Sequence, residues 1–178
     1  MRKALYILGQ LNDRDVDWLA QHGTRQRLSD GEIIVSEGQP LDTLFIILSG
    51  KMRVTLQDGH EVVRLGAGEV VGEIAFVDSA PASATVIAAG DAVVFSLAKT
   101  QLQRHLDADP PFAARFYRAL AVFLADRLRA TTYRLGYGAA VGLDSDAVLE
   151  DELDPGVLDT VARAGERFTR LLQTLSAQ

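Results

Sequence analysis

The sequence predicts a mainly β fold, a sandwich or roll of short strands, with helices on its flanks. Three observations predict it. Between about Arg25 and Leu97, short apolar runs alternate with the turns Asp30-Gly31, Gly38, Gly50, Asp58-Gly59 and Gly66 with Gly68. Many short strands punctuated this way argue for packed sheets. Ahead of that region lies a capped amphipathic segment, and behind it a long apolar stripe at helical spacing.

Composition narrows the class. The chain has 178 residues, 48% hydrophobic and 24% charged, with a formal net charge of -6. This is an ordinary soluble balance. An acidic chain lacks the basic face that displaces counterions from nucleic acid, so no DNA partner is expected. Cysteine is absent, which excludes disulfides, thiolate metal sites and iron–sulfur clusters. The opening MRKALYILGQL is too short for a secretory signal and lacks a cleavage site. No segment approaches the ~20 apolar residues of a membrane span. A cytoplasmic protein with no membrane partner is the expectation.

The elements follow in order. Asn12-Asp13 caps a first helix to about His22, with Val16, Leu19 and Ala20 on one face. The strand-rich region comes next. Within it, Gln57-Asp58-Gly59-His60 between two alternating runs predicts a hairpin, because Asp-Gly accepts the positive φ such turns need. A short helical turn over Glu73 to Val77 interrupts the strands. Lys99 to Leu106 reads as a short helix. Pro110-Pro111 opens the longest helix, to about Leu135, since proline costs nothing in a first turn. Its stripe is Phe112, Phe116, Leu120, Phe123, Leu124 and Leu128, and Gly136-Tyr137-Gly138 ends it. The division expected is a main domain over 1–136, an acidic linker over 137–153 and an amphipathic helix over 154–178. Asp154 caps that last helix and Pro155 starts it. Val157, Val161, Ala164, Phe168, Leu171 and Leu175 form a heptad seam. The seam is too short for a free coiled coil, so docking on the long helix, its own or a twin's, is expected.

The chemistry concentrates in GEIAFVDSAPASATV, residues 72–86. A strand ends at Gly72, whose missing side chain lets a ligand approach the backbone. The first amides of the turn from Glu73, with Ile74 and Ala75 behind it, have no internal partner and suit an anion. Glu73 is placed to accept from a sugar hydroxyl, and Ser83 adds a donor. Glu73 could equally be a carboxylate favoured at a helix start, and Ser83 a cap on the returning strand.

This stretch resembles the phosphate-binding cassette of the cyclic nucleotide-binding domain family, and the resemblance covers roughly residues 5 to 136. Ser29-Asp30-Gly31-Glu32-Ile33-Ile34, Glu37-Gly38-Gln39-Pro40, Leu44-Phe45-Ile46-Ile47-Leu48-Ser49-Gly50 and Gly66-Ala67-Gly68-Glu69-Val70-Val71 resemble the family's other turns, in the right order. The resemblance implies a double-stranded β-helix, a jelly-roll-like β-roll, with a short cassette helix and a long C-terminal helix. It implies a non-catalytic regulatory sensor for cAMP or cGMP, with no cofactor required. Gly72 and its neighbours' amides would meet the cyclic phosphate and Glu73 the ribose 2′-hydroxyl, with Ser83 and the Ala84 amide completing the cradle. Thr131 and Thr132 stand where adjacent hydroxyls of the long helix would contact the base. The resemblance also implies a homodimer through the long helix, which would carry the signal to an unidentified protein partner.

Two departures qualify it. Ala82 stands where the family has the arginine that pairs with the phosphate, which predicts weakened binding. Arg64, the nearest arginine in sequence order, is expected to face solvent. After Gly136 only about forty residues follow, too few for the winged helix of the family's transcription factors. A ligand-free interaction scaffold is therefore the alternative. A cupin-like metalloenzyme is a remote one, because His22, His60 and His105 are dispersed and expected in solvent, and no paired His ligands exist.

Overall fold

The strand runs alternate in two different ways, and the difference sorts them into two sheets. In the computed structural model, which describes residues 8–136 and 155–176, β1 (Thr24–Leu28), β8 (Ala92–Ala98), β3 (Thr43–Ser49) and β6 (Val70–Val71) form one sheet in that spatial order. β2 (Ile33–Val35), β7 (Thr85–Ala88), β4 (Lys51–Thr55) and β5 (Glu61–Gly66) form the other. Every neighbouring pair is antiparallel. β3 is buried at five consecutive positions, Leu44 to Leu48. Unbroken burial means a sheet covered on both faces, whereas the alternation along β5 marks a sheet with one face in water.

The two sheets face each other across Leu28, Val35, Phe45, Ile47, Met52, Leu65, Val71, Val86 and Val94. The outer face of the first sheet presents Leu44, Ile46, Leu48, Phe95 and Leu97 to the helices. Helices α1 (Asp13–His22), α3 (Lys99–Ala108), α4 (Pro110–Gly136) and α5 (Pro155–Ser176) cover it, and α2 (Glu73–Asp78) lies between β6 and β7. Burying each large side chain contributes about 1.5–3 kcal/mol. This is the expected β-roll with its cassette helix and long helix. The Asp58-Gly59 hairpin forms, with Gly59 at φ +81° and the Leu56 amide donating to His60 O.

Helix starts follow from side-chain caps. Asn12 and Asp15 cap α1 reciprocally, each side chain accepting from the other's amide at 3.0 and 2.8 Å. Asp109 caps α4 by accepting from the Phe112 amide at 2.9 Å. Gly23 ends α1 beneath the Phe95 ring, where a Cβ would sit 2.0 Å from Cε2.

Three expectations change. The stripe Phe112, Phe116, Leu120 and Phe123 is buried by the chain's own sheet and helices, so its exposure no longer argues for a dimer. Leu128 does not join it and is 68% exposed. Helix α5 docks, but chiefly on α1. Ala164, Leu171 and Leu175 are buried there, and Arg167 reaches Asp13 at 2.9 Å and the Leu8 and Gly9 carbonyls at 3.1 Å. Arg170 grips both carboxylate oxygens of Asp17 at 2.7 Å. Opposite charges on the two helices thus flank the apolar contact. Residues 137–153, Asp154 and the side chains of Val157 and Val161 lie outside the described residues.

Candidate functional site

The cassette begins where β6 runs out. Gly72 holds φ +92°, and a Cβ there would sit 2.6 Å from the Thr43 carbonyl oxygen and 3.0 Å from Leu41 Cδ2. The close approach that requires glycine is therefore to the start of β3, not to a ligand. Glu73 then turns inward as α2 starts, and Ile74 on the same helix faces out, while Ala75 is buried. Ser79, at φ +57°, ends α2.

The loop back to β7 is fastened to the turn after β2. The Ala82 amide donates to Gln39 O at 3.0 Å and its carbonyl accepts from the Gly38 amide at 2.8 Å. The Ala82 methyl is buried in the apolar interior between the sheets. A side chain at this position thus starts inside the roll. Ser83 is exposed and Ala84 half-buried at the bend before β7. Nearby, the Glu37 amide donates to Thr85 Oγ1 at 3.1 Å. Glu37 Oε2 is buried with no hydrogen-bond partner among the described residues.

Glu73 is the centre of the site. It is 2% exposed and ion-paired with Arg127 of α4, which bonds Glu73 Oε1 through Nη1. Burial pushes the Glu73 carboxyl above its ordinary range, and the Arg127 guanidinium pulls the other way. The guanidinium lies over the Phe123 ring, 5.6 Å from its centroid. Helix α2 also touches α4 through Phe76, edge-on to Phe116 at 5.7 Å. The cassette is therefore joined to the long helix by a charge pair and a ring contact.

Arg127 was given no role by sequence reasoning. The one signal for it is its place four residues after Phe123, on the α4 face that meets the roll. Thr131 and Thr132, one turn further on, are exposed. The Thr131 hydroxyl donates back to the Arg127 carbonyl at 2.9 Å. Arg64 lies on β5, exposed, with Glu61 2.6 Å from its Nε. The histidines need correction. His60 is exposed, but His22 and His105 come together, stacked on either side of Trp18 at 4.4 and 3.9 Å between centroids. Burial lowers the His105 pKa. Among the described residues no three His, Asp or Glu groups cluster to hold a metal. A cleft of about 240 Å³ lies beside α2, bounded by Leu41, Asp42, Phe76, Lys99 and Gln103, without Glu73, Ala82 or Arg127 in its walls.

Comparison with known proteins adds the following. Residues 25–109 match the family described as cyclic nucleotide-binding domain. A cAMP-dependent protein kinase regulatory subunit of Mycosarcoma maydis is 33% identical over 149 residues, 78% of this chain and 28% of that protein. Glutaminase 1 of Bradyrhizobium diazoefficiens is 36% identical over 121 residues, 66% of this chain and 20% of that protein. The chain thus spans less than a third of the length of either relative. The crystal structure of a cyclic nucleotide-binding domain from Methylobacillus flagellatus has a TM-score of 0.68 at 22% identity, covering 78% of this chain and 85% of that one. At that identity the likeness concerns the fold. The match to the cyclic nucleotide-binding domain family is thus carried by residues 25–109, a little under half of this chain.

Proposed function

We propose that this chain is a non-catalytic, cytoplasmic regulatory module that binds cAMP or cGMP at the cassette and passes occupancy to α4. The observation that carries the reading is the Glu73–Arg127 pair, which joins the buried cassette carboxylate to the long helix. A ligand hydroxyl bonded to Glu73 changes what that pair experiences, and with it the seating of α4. Only a difference in affinity between two seatings of α4 produces a signal. Isothermal calorimetry with cAMP and with cGMP tests the reading. Saturable binding of either supports it. Loss of the arginine at position 82 predicts affinity about ten- to a hundredfold below that of a cassette retaining it, at about 1.5–3 kcal/mol for a charge-assisted bond. No heat with either nucleotide sinks the reading.

A second reading is favoured by one observation, the buried Ala82 methyl inside an apolar interior. It makes the roll a ligand-free scaffold whose working surfaces are α4 and α5. In both readings a homodimer through α4 and a separate protein partner are proposed, resting on the exposed Tyr117 and Leu128 of α4. Light scattering that shows only monomer across micromolar concentrations removes the dimer.

A further inference from the structure

Arg127 carries more hydrogen-bonding capacity than its one bond uses. A guanidinium presents five N–H donors in a planar fork. Here Nη1 donates to Glu73, while among the described residues Nε and Nη2 donate to no partner. The side chain is 29% exposed, so part of it remains within reach of an incoming group. Its plane rests on Phe123, a ring 1% exposed and fixed in the core. The cassette loop itself, Ser79-Ala80-Pro81-Ala82-Ser83-Ala84, contains no cation. An anion brought beside the buried Glu73 carboxylate is repelled unless a positive group lies between the two.

Two other cations have carboxylates of their own nearby. Arg64 is held by Glu61 at an exposed corner of β5. Lys99 lies in the wall of the cleft beside α2, in the field of Asp42 and Asp78.

We propose that Arg127 supplies, from α4, the positive partner for the ligand's phosphate, holding Glu73 with one nitrogen and the phosphate with its free edge. The inference rests on the cyclic-nucleotide reading above and assigns the charge recognition within it. It fits a ligand that offers an anion and an adjacent hydroxyl together, the hydroxyl to Glu73 and the anion to Arg127. It also puts a ligand contact on the long helix itself, so occupancy pins α4 to the cassette directly.

The test compares cAMP with adenosine, which keeps the ribose hydroxyls and base but has no phosphate. Calorimetry on the full chain is expected to show that Arg127→Gln weakens cAMP at least about tenfold more than it weakens adenosine, whose hydroxyl still meets Glu73. Ala82→Arg added to Arg127→Gln is expected to restore cAMP. Equal cAMP affinity for wild type and Arg127→Gln overturns the inference alone. A matching loss for cAMP and adenosine also overturns it, because Arg127 then only supports packing. No cAMP or cGMP binding by the wild type sinks the function reading, and the inference with it. If Arg127→Gln does not fold, the same change is made in the Glu73→Gln background, where no buried carboxylate is left unpaired. There too, a cAMP-to-adenosine ratio unchanged by Arg127→Gln is the overturning result.

Discussion

Helix α4 is tied to the rest of the molecule by two arginines, and the two ties are built differently. Arg115 closes its fork on Asp15, with Nε on Oδ2 at 2.7 Å and Nη2 on Oδ1 at 2.8 Å. Asp15 is 4% exposed, and it also accepts from the Asn12 amide at the start of α1. Both oxygens are committed. Arg127, twelve residues on and about 18 Å further along the helix, spends one nitrogen on Glu73 and, among the described residues, hydrogen-bonds nothing else through its fork. The first tie is a fixed anchor. The second holds a buried carboxylate while leaving donors for something else. One helix is thus held at one end by a two-pronged pair and at the other by a single bond.

The sharpest way to break this contrast is to remove each arginine. Arg115→Ala leaves Asp15 buried without its cation, and the expected loss is about 3 kcal/mol, the low end for breaking a buried pair because the Arg115 side chain is itself 32% exposed. Urea unfolding measures it. Arg127→Ala is expected to cost less, and to depend on pH. With the cation gone, the Glu73 pKa rises further above 4.5. The folded state then holds a proton that the unfolded state releases, so stability is retained below about pH 4.5 and lost as pH rises through the raised pKa. A deficit larger at pH 8 than at pH 5 is the expected outcome. A deficit equal at both, or larger than that of Arg115→Ala, ends the distinction between the two ties.

The next test concerns what braces the fixed end. Helix α5 packs on α1, whose Asp15 holds Arg115. Phe168→Asp places a charge in that packing and is expected to undock α5, so that trypsin cuts after Arg163 and Arg167 at least tenfold faster than in the wild type, by about the 1.4 kcal/mol per decade of any equilibrium. The roll should stay resistant. A roll cut at the same increased rate would mean that the anchor depends on α5.

Ala82→Arg addresses the Arg127 end. A guanidinium beginning inside the roll gives the phosphate a second partner, and cAMP affinity is expected to rise at least about tenfold. Titration calorimetry decides it, and unchanged affinity would mean that the interior is altered beyond this one residue. The smallest effect is expected from the Trp18 stack, beside the fixed end. Burial lowers the His105 pKa below 6.5, so the folded state binds fewer protons than the unfolded one near that pH. Stability from this group is present above about pH 6.5 and is lost as pH falls through the lowered pKa. Trp18 is the only tryptophan, so its fluorescence between pH 7.5 and pH 5.5 reports the stack without interference. A flat profile removes His105 from the account.

Much of the roll was legible because its signals are local. Asp58-Gly59 names its own turn, and the glycine turns set off the apolar run Leu44 to Leu48 as a strand, though not that both of its faces are covered. Gly72 and Glu73 were legible as a pair, though the glycine's reason proved to be the Thr43 carbonyl. The ties of α4 were not legible. Glu73 and Arg127 are 54 positions apart, and Asp15 and Arg115 are 100 apart. An arginine on an amphipathic helix looks the same in sequence whether it meets water or a buried carboxylate. The stacking of His22 and His105 on Trp18 was hidden for the same reason. The docking of α5 did leave a trace: Asp13 and Asp17 share one face of α1, and Arg167 and Arg170 lie three apart on α5. The apolar seam drew attention away from that complementarity.

The uneven covering of the two sheets has a kinetic consequence. Amides of β3 and β8 lie in a sheet shielded on both sides, so they are expected to exchange with solvent only when the whole domain opens. β2 is three residues long, lies at the edge of the other sheet and pairs only with β7. It is expected to open far more often. The turn after β2 carries the Gly38 and Gln39 groups that hold the Ala82 loop. That loop is thus suspended from the strand quickest to let go. Hydrogen exchange is therefore expected to be fast together at β2, at the Gly38–Gln39 turn and in the Ala82 loop that this turn holds.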